Sequence, residues 1–317
     1  MLTVGVDLGG TKCLGVVVDA GGRVVDEHRL PTPSGADAVM STVESCAATL
    51  VDRVGVGVGG VAGIGVGLPG LVDDNGTLRY APNLPGVAEV PVGELLRSRF
   101  GDVRVVVEND ASCAGWGERE GGAGQSIDNL VAITLGTGIG GGIVLGGRLY
   151  RGAHGFAGEV GHMVVDPYGP PCPCGQRGCW ERFASGSGLG RLAREAAHAG
   201  RGHRVVELAG RDPESVRGEH VTQAAAEGDA EALAVLASYA WWVALGLANL
   251  ANAFDPELFV LGGGLVEAGE LLLAPVRSAF SSLVEGVEHR PPVDIVPAAL
   301  GEHAGAIGAA LLARPSP

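Results

Sequence analysis

An α/β fold built as two similar lobes is predicted by three features of the sequence. Strand-like apolar runs alternate with helical ones through the N-terminal third. A strand, glycine turn and strand at residues 4–18 returns at 130–145. At 317 residues the chain can bury two packed lobes around a shared cleft more readily than one very large domain.

Taken in order, Leu2 to Val6, DLGGTK, Cys13 to Val18, Ala20-Gly21-Gly22 and Arg23 to His28 read as a three-stranded antiparallel meander. Ala36 to Arg53 carries apolar residues at helical spacing, Val61 to Leu68 reads as a strand, and the β-branched run Val103 to Val107 reads as a buried strand. Asn109-Asp110 then precedes an Ala-rich segment ending at Gly121, so a helix begins directly after that strand. Leu130 to Leu135, GTGIGGG and Ile143 to Leu145 form the second strand-turn-strand unit. The remainder is mainly helical: Ala230 to Phe254 is the longest candidate, followed by a strand, Leu258 to Leu261, that runs into LGGG. An Ala-rich helix, His303 to Ala313, ends the chain. The lobes are therefore expected at 1–109 and 110–302, with 303–317 packing back on the first and a hinge near Asn109.

With 46% hydrophobic and 18% charged residues, the chain is compact rather than disordered. Its formal net charge of -14, with no run of Lys or Arg, argues against nucleic acid or an anionic membrane as partner, so any bound anion must be held locally. Apolar stretches read as short and interrupted, and Met1 leads straight into a strand without a basic leader, so a soluble cytoplasmic protein is expected. Three of the six cysteines, Cys172, Cys174 and Cys179, crowd together, while Cys13, Cys46 and Cys113 read as small buried hydrophobes rather than a disulfide framework. Trp241-Trp242 lies within the longest helix and is either core or the contact of a homo-oligomer.

Two common nucleotide motifs fail on inspection. GTGIGGG fits G-x-G-x-x-G, but Ile143 to Tyr150 reads as strand, Gly-Gly turn and strand where a dinucleotide site needs a helix. In Gly5 to Lys12 the Thr precedes the Lys, the reverse of a Walker loop. What remains is two glycine turns with exposed N–H groups and the hydroxyls of Thr11 and Thr137, which suit phosphate oxygens. Asp7, at the end of the first strand, could hold Mg²⁺ through water.

DLGGTK at 7–12, ENDA at 108–111, LGTGIGGG at 135–142, GEVGH at 158–162 and CPCGQRGCWE at 172–181 resemble the ROK family of bacterial sugar kinases and repressors, and are most similar to its actinobacterial glucokinases. The resemblance implies an actin/hexokinase/Hsp70-like duplicated fold and ATP-dependent phosphorylation of a hexose, glucose first. It leaves N-acetylmannosamine, fructose or allose as other acceptors, polyphosphate as another donor, and a sugar-responsive repressor as the non-enzymatic reading. Against that last reading, no DNA-reading helix precedes the first strand.

By matching position, the resemblance assigns Asp110 as catalytic base and Asn109, Glu159, His162 and Glu181, with Asp110, as ligands of the sugar hydroxyls. On residue type alone, Asp110 serves equally well as a helix N-cap. Gly9, Gly10, Thr11, Lys12, Thr137 and Gly138 go to the phosphates and Gly262, Gly263 and Gly264 to the adenosine side. Trp180, beside Glu181, reads as a ring that either stacks on sugar or packs.

Cys172, Cys174 and Cys179 offer three thiolates in one loop, and His162 completes a tetrahedral Cys3His set for a closed, structural zinc within 162–179. Zinc there would shape the loop between Glu159 and Glu181 and fix the His162 ring, leaving one imidazole nitrogen for a sugar hydroxyl.

Overall fold

The computed structural model describes residues 1–55 and 57–315. Strands β1 (Leu2–Leu8), β2 (Lys12–Val18) and β3 (Val24–Pro31) form the expected antiparallel meander, with Val4 opposite Val17 and Val16 opposite Glu27. Helix α1 (Ala36–Arg53) places Val39, Val43, Ala47 and Leu50 on one buried face, the consequence of their three- and four-residue spacing. Strands β4 (Val61–Leu68) and β8 (Arg104–Asn109) add in parallel, giving the order β3-β2-β1-β4-β8. Between them lie the small sheet β5 (Leu71–Val72), β6 (Leu78–Tyr80) and β7 (Ala88–Val90), and helix α2 (Val92–Phe100).

Helix α3 (Asp110–Gly121) follows β8 without a break, and the C-terminal helix α10 (Ala304–Leu312) packs on α3, β1 and β4. Glycine in the strands makes that approach possible. A Cβ at Gly5 would stand 1.9 Å from the Ala306 carbonyl oxygen, and one at Gly65 1.8 Å from that of Ala309. The high glycine content, 55 of 317 residues, thus reflects backbone-to-backbone packing as well as turns.

The second sheet repeats the first: β9 (Leu130–Leu135), β10 (Ile139–Leu145), β11 (Arg148–Leu149), β12 (Leu258–Gly262) and β13 (Asp294–Pro297) lie in the order β11-β10-β9-β12-β13, again ending in a parallel pair. Gly146 and Gly147, with φ of 55° and 72°, supply the two left-handed residues of the β10–β11 hairpin turn, where a dinucleotide site would need a helix. The glycine run is also shorter as a turn than its sequence implies, because β10 already begins at Ile139.

Helices α4 (Glu181–Ala184), α5 (Gly186–His198), α6 (His203–Leu208), α7 (Gly218–Ala226), α8 (Ala230–Phe254) and α9 (Glu270–Leu283) complete the chain order. By length and composition α8 could cross a membrane, with a mean hydropathy of 1.6 in its best window, which corrects the reading of short apolar stretches. Its apolar residues are spent inside the fold: Tyr239, Val243, Leu247 and Leu250 are buried and α8 packs on α7 and α9.

The chain forms two compact units, 1–132 with 141–158 and 298–317, and 133–140 with 159–297. This division differs from a boundary at Asn109. Helix α3 belongs with the first unit because a Cβ at Gly308 of α10 would meet the Cys113 carbonyl oxygen at 1.7 Å, so the two helices pack backbone to backbone.

Candidate active site

In the first unit the chemistry gathers where the parallel strands β1, β4 and β8 end, the side on which α/β sheets present ligand sites. Asp7 pairs with Gly67, and Gly67 pairs with Glu108, so the three stand side by side across the sheet. Gly67 keeps that neighbourhood open, since a Cβ there would meet Asp7 Oδ1 and Cys113 Sγ, each at 3.3 Å, and Asp110 Cα at 3.4 Å.

Asn109 caps α3: its Oδ1 accepts from the Ser112 amide at 3.0 Å, and its Nδ2 donates to the Gly70 carbonyl at 3.1 Å. The capping question raised by the sequence is therefore resolved in favour of Asn109, one position before Asp110. Asp110 opens the helix, and its Oδ1 accepts the Ala111 amide at 2.8 Å. Loss of solvent raises the Asp110 pKa, opposed by backbone donors.

Asp7 Oδ1 is buried with no hydrogen-bond partner. Loss of solvent, then the nearby Asp110, pushes the Asp7 carboxyl up to about 8 against the pull of Lys12. An orphaned buried carboxylate oxygen beside a second carboxylate is a fitting place for a hard cation. The folded chain holds the Asp7 proton more tightly than the unfolded chain, whose pKa is 3.8, so stability is expected to fall as pH rises toward about 8. Thermal midpoints of metal-free protein between pH 5 and 9 check this, and Asp7→Asn should flatten the dependence.

The β1–β2 turn is braced by Thr32, whose hydroxyl donates to the Gly9 carbonyl at 2.7 Å and whose amide donates to that of Thr11 at 3.1 Å. Gly10 and Thr11 are exposed at its tip. Lys12 Nζ lies 2.5 Å from Glu302 Oε2, and Arg29 Nη2 lies 2.6 Å from Glu302 Oε1. Hydrogen bonds from Arg29 and Lys12 hold Glu302 down to about 2.

Cys13, Cys46 and Cys113 are fully buried, as their apolar surroundings imply. Cys13 and Cys46 are neighbours rather than isolated: the hydrogen bond between them raises the Cys13 pKa and lowers that of Cys46.

In the second unit, the turn between β9 and β10 is closed by the Gly136 amide donating to the Gly138 carbonyl at 3.0 Å. Glu181 Oε2 accepts the Ile139 amide at 2.9 Å, and a Cβ at Gly138 would lie 2.3 Å from the same oxygen. Glu181, assigned to the sugar by resemblance, thus also braces the glycine turn. Trp180 beside it is fully buried and donates from Nε1 to the Trp242 carbonyl at 2.7 Å, so it packs and does not stack on sugar. Of the tandem tryptophans, Trp242 stacks on Phe183 at 4.1 Å while Trp241 is 41% exposed.

His162, Cys172, Cys174 and Cys179 bring their ligand atoms within 4.8 Å of one another. His162 Nδ1 faces the thiols, 3.8 Å from Cys172 Sγ, and its Nε2 lies 3.8 Å from Glu159 Oε2. Cys174 and Cys179 sulfurs are 3.6 Å apart. Loss of solvent and then hydrogen bonds donated by Cys179 to Cys174 and Cys172 push the Cys179 thiol up to about 12, so without a cation the thiols cannot all ionise. The donor set is that of a closed zinc site.

A cavity of about 910 Å³ opens beside Gly136 and Thr137 and is walled by α5, α7 and the segment after β12. Its apolar wall includes Leu135, Leu265, Ala226 and Leu271, and its polar groups include Arg194 and Glu219. Gly264 lines it, whereas Gly262 and Gly263 do not. The sequence reading missed the α5 and α7 walls. Only the glycines at 186, 188 and 190 signal them, and Gly186 is the one that lies against the turn: its amide donates to the Gly136 carbonyl at 2.8 Å, and Ser187 Oγ donates to that of Thr137 at 3.1 Å.

Residues 3–316 match the family profile described as the ROK family. The chain is 42% identical over 316 residues to a glucokinase of Streptomyces coelicolor, covering 99% of this chain and 98% of that one. It is 37% identical to a glucokinase of Thermotoga maritima, covering 98% and 96%. A crystal structure of a ROK family glucokinase from Streptomyces griseus in complex with glucose and AMPPNP aligns with a TM-score of 0.86 at 40% identity, covering 98% of this chain and 99% of that one.

Proposed function

Because the chain belongs to the ROK family, we propose that it is an ATP-dependent glucokinase, making glucose 6-phosphate and ADP from D-glucose and ATP. The observation that carries the choice of donor is the cavity beside Gly136 and Thr137. A recess of about 910 Å³ with an apolar wall of Leu135, Ala226, Leu265 and Leu271 suits a nucleoside, a part that a linear polyphosphate lacks. The glycine turns and Asp110 are what a kinase needs and a repressor does not.

In this reading Asp110 accepts the proton of the attacking sugar hydroxyl, while Asn109, Glu159, His162 and Glu181 orient the sugar. The amides of Gly9, Gly10 and Gly138, the hydroxyls of Thr11 and Thr137, and Lys12 meet the phosphates, with Lys12 exchanging its Glu302 partner for them. Gly262, Gly263 and Gly264 serve the adenosine side. Asp7 would hold Mg²⁺ through water, and the ion would neutralise charge on the transferring phosphoryl group. His162, Cys172, Cys174 and Cys179 would hold zinc, which shapes the loop carrying Glu159. The setting is cytoplasmic, where those thiols stay reduced. Exposed Trp241 supports the expected homo-oligomer.

Ala226 lies exposed on the cavity wall, so Ala226→Trp fills the recess without disturbing the core. It is expected to raise KM for ATP about tenfold, a loss of roughly 1.4 kcal/mol, with KM for glucose unchanged. A coupled assay over a panel of sugars and donors checks this together with acceptor choice. Unchanged ATP kinetics, or equal turnover with polyphosphate, would remove the cavity from the donor site.

A further inference from the structure

Glu108 is 3% exposed, yet it carries a carboxylate one residue before Asn109. Its Oε1 accepts the Asn109 amide at 2.8 Å, and its Oε2 lies 2.5 Å from Arg151 Nε. The same guanidinium reaches Asp74 Oδ1 at 2.8 Å with Nη1. Arg151 also closes its own loop, since its carbonyl accepts the Ala157 amide at 3.1 Å. That loop runs on to Glu159 two residues later. It is pressed against the strand end after β5, where a Cβ at Gly155 would meet the Val72 carbonyl oxygen at 2.5 Å.

We propose that Arg151, through its ion pair with Glu108, is a positioning residue that sets Asn109-Asp110 for catalysis and anchors the loop leading to Glu159. The physical argument is one of over-determination. A buried carboxylate without its cation either takes a proton or moves toward water, and either change alters its bond to the Asn109 amide. Asn109 has no slack to absorb this, because its side chain is already committed to Ser112 and Gly70. The displacement therefore passes to Asp110, the next residue. A point charge is a poor substitute for Arg151, because two carboxylates in different directions need a planar fork. Glu108 would otherwise be an expensive residue to keep here. Burial raises its pKa, and Arg151 and the Asn109 amide oppose that rise.

This inference rests on Asp110 being the base, so Asp110→Asn is measured beside the test variants. Arg151→Met is expected to lower kcat by about tenfold to a hundredfold, as a misplaced base does, with KM for ATP within about twofold of wild type. Arg151→Lys should recover only part of that loss. Assays run well below each variant's melting midpoint, so lost activity is not lost fold. If Arg151→Met fails to fold, Glu108→Gln decides, because it removes the ion pair while leaving no buried charge uncompensated. A fall in kcat at unchanged KM for ATP supports the proposal, and wild-type kinetics in the folded variant overturn it. An inactive Asp110→Asn with a fully active Arg151→Met sinks the positioning role alone, whereas an active Asp110→Asn sinks the assignment of the base.

Discussion

Asp110→Asn is expected to lower turnover by about two to four orders of magnitude, the usual worth of a general base, while the protein stays folded and still binds sugar. The structure makes this substitution a clean one. The capping bond of α3 belongs to Asn109, so the cap does not depend on Asp110. The amide oxygen of an introduced Asn can accept the Ala111 amide as the carboxylate does. Stability should therefore shift by no more than about 0.5 kcal/mol, with a small gain as reasonable as a small loss, since burial disfavours the carboxylate. Steady-state kinetics and a thermal melt on the same preparation check both halves. Near-normal turnover in a well-folded variant would leave Asp110 without a chemical role and make Glu159 the next candidate.

Cys174→Ala should have the second largest effect. Protein purified without chelator is expected to carry about one zinc per chain, and the variant markedly less, because the three remaining donors leave the fourth position to water and hold the ion more weakly. KM for glucose should rise by at least about tenfold, while KM for ATP changes by less than about twofold. The asymmetry follows from the geometry: His162 turns Nδ1 to the thiols and Nε2 toward Glu159, so releasing the metal frees the ring beside the proposed sugar carboxylate. Metal analysis and separate titrations of glucose and ATP decide it. Wild-type protein without zinc would end the assignment, and equal effects on both substrates would reduce the loop to general support.

The periodic elements were legible in the sequence because their signals are local. Ala36–Arg53 and Ala230–Phe254 begin and end where their apolar patterns place them, and Val61–Leu68 stands as read. The Cys3His set was equally plain, since four metal-type ligands lie within eighteen residues and the loop needs only to fold on itself. The duplication was visible as two glycine turns between strands, and the two sheets share one strand order.

What the sequence left open depends on residues far apart in the chain. Asn109 and Asp110 are both good capping residues, and the choice between them was made by which side chain reaches the Ser112 amide once β8 fixes the entry to α3. Trp180 could have faced sugar or core until the Trp242 carbonyl, more than sixty residues on, claimed its N–H. The cavity wall is assembled from α5, α7 and the turn at Gly136; only the turn carries a motif, and the helices that complete the wall lie some fifty to ninety residues further along the chain. Arg151 had no signal at all: an arginine after a hairpin reads as surface, and only the fold brings Glu108 and Asp74 to it. Local propensity thus fixed the elements and the metal loop, whereas tertiary packing decided which polar groups are paired, because hydrogen bonds between distant residues leave no periodic trace in the chain.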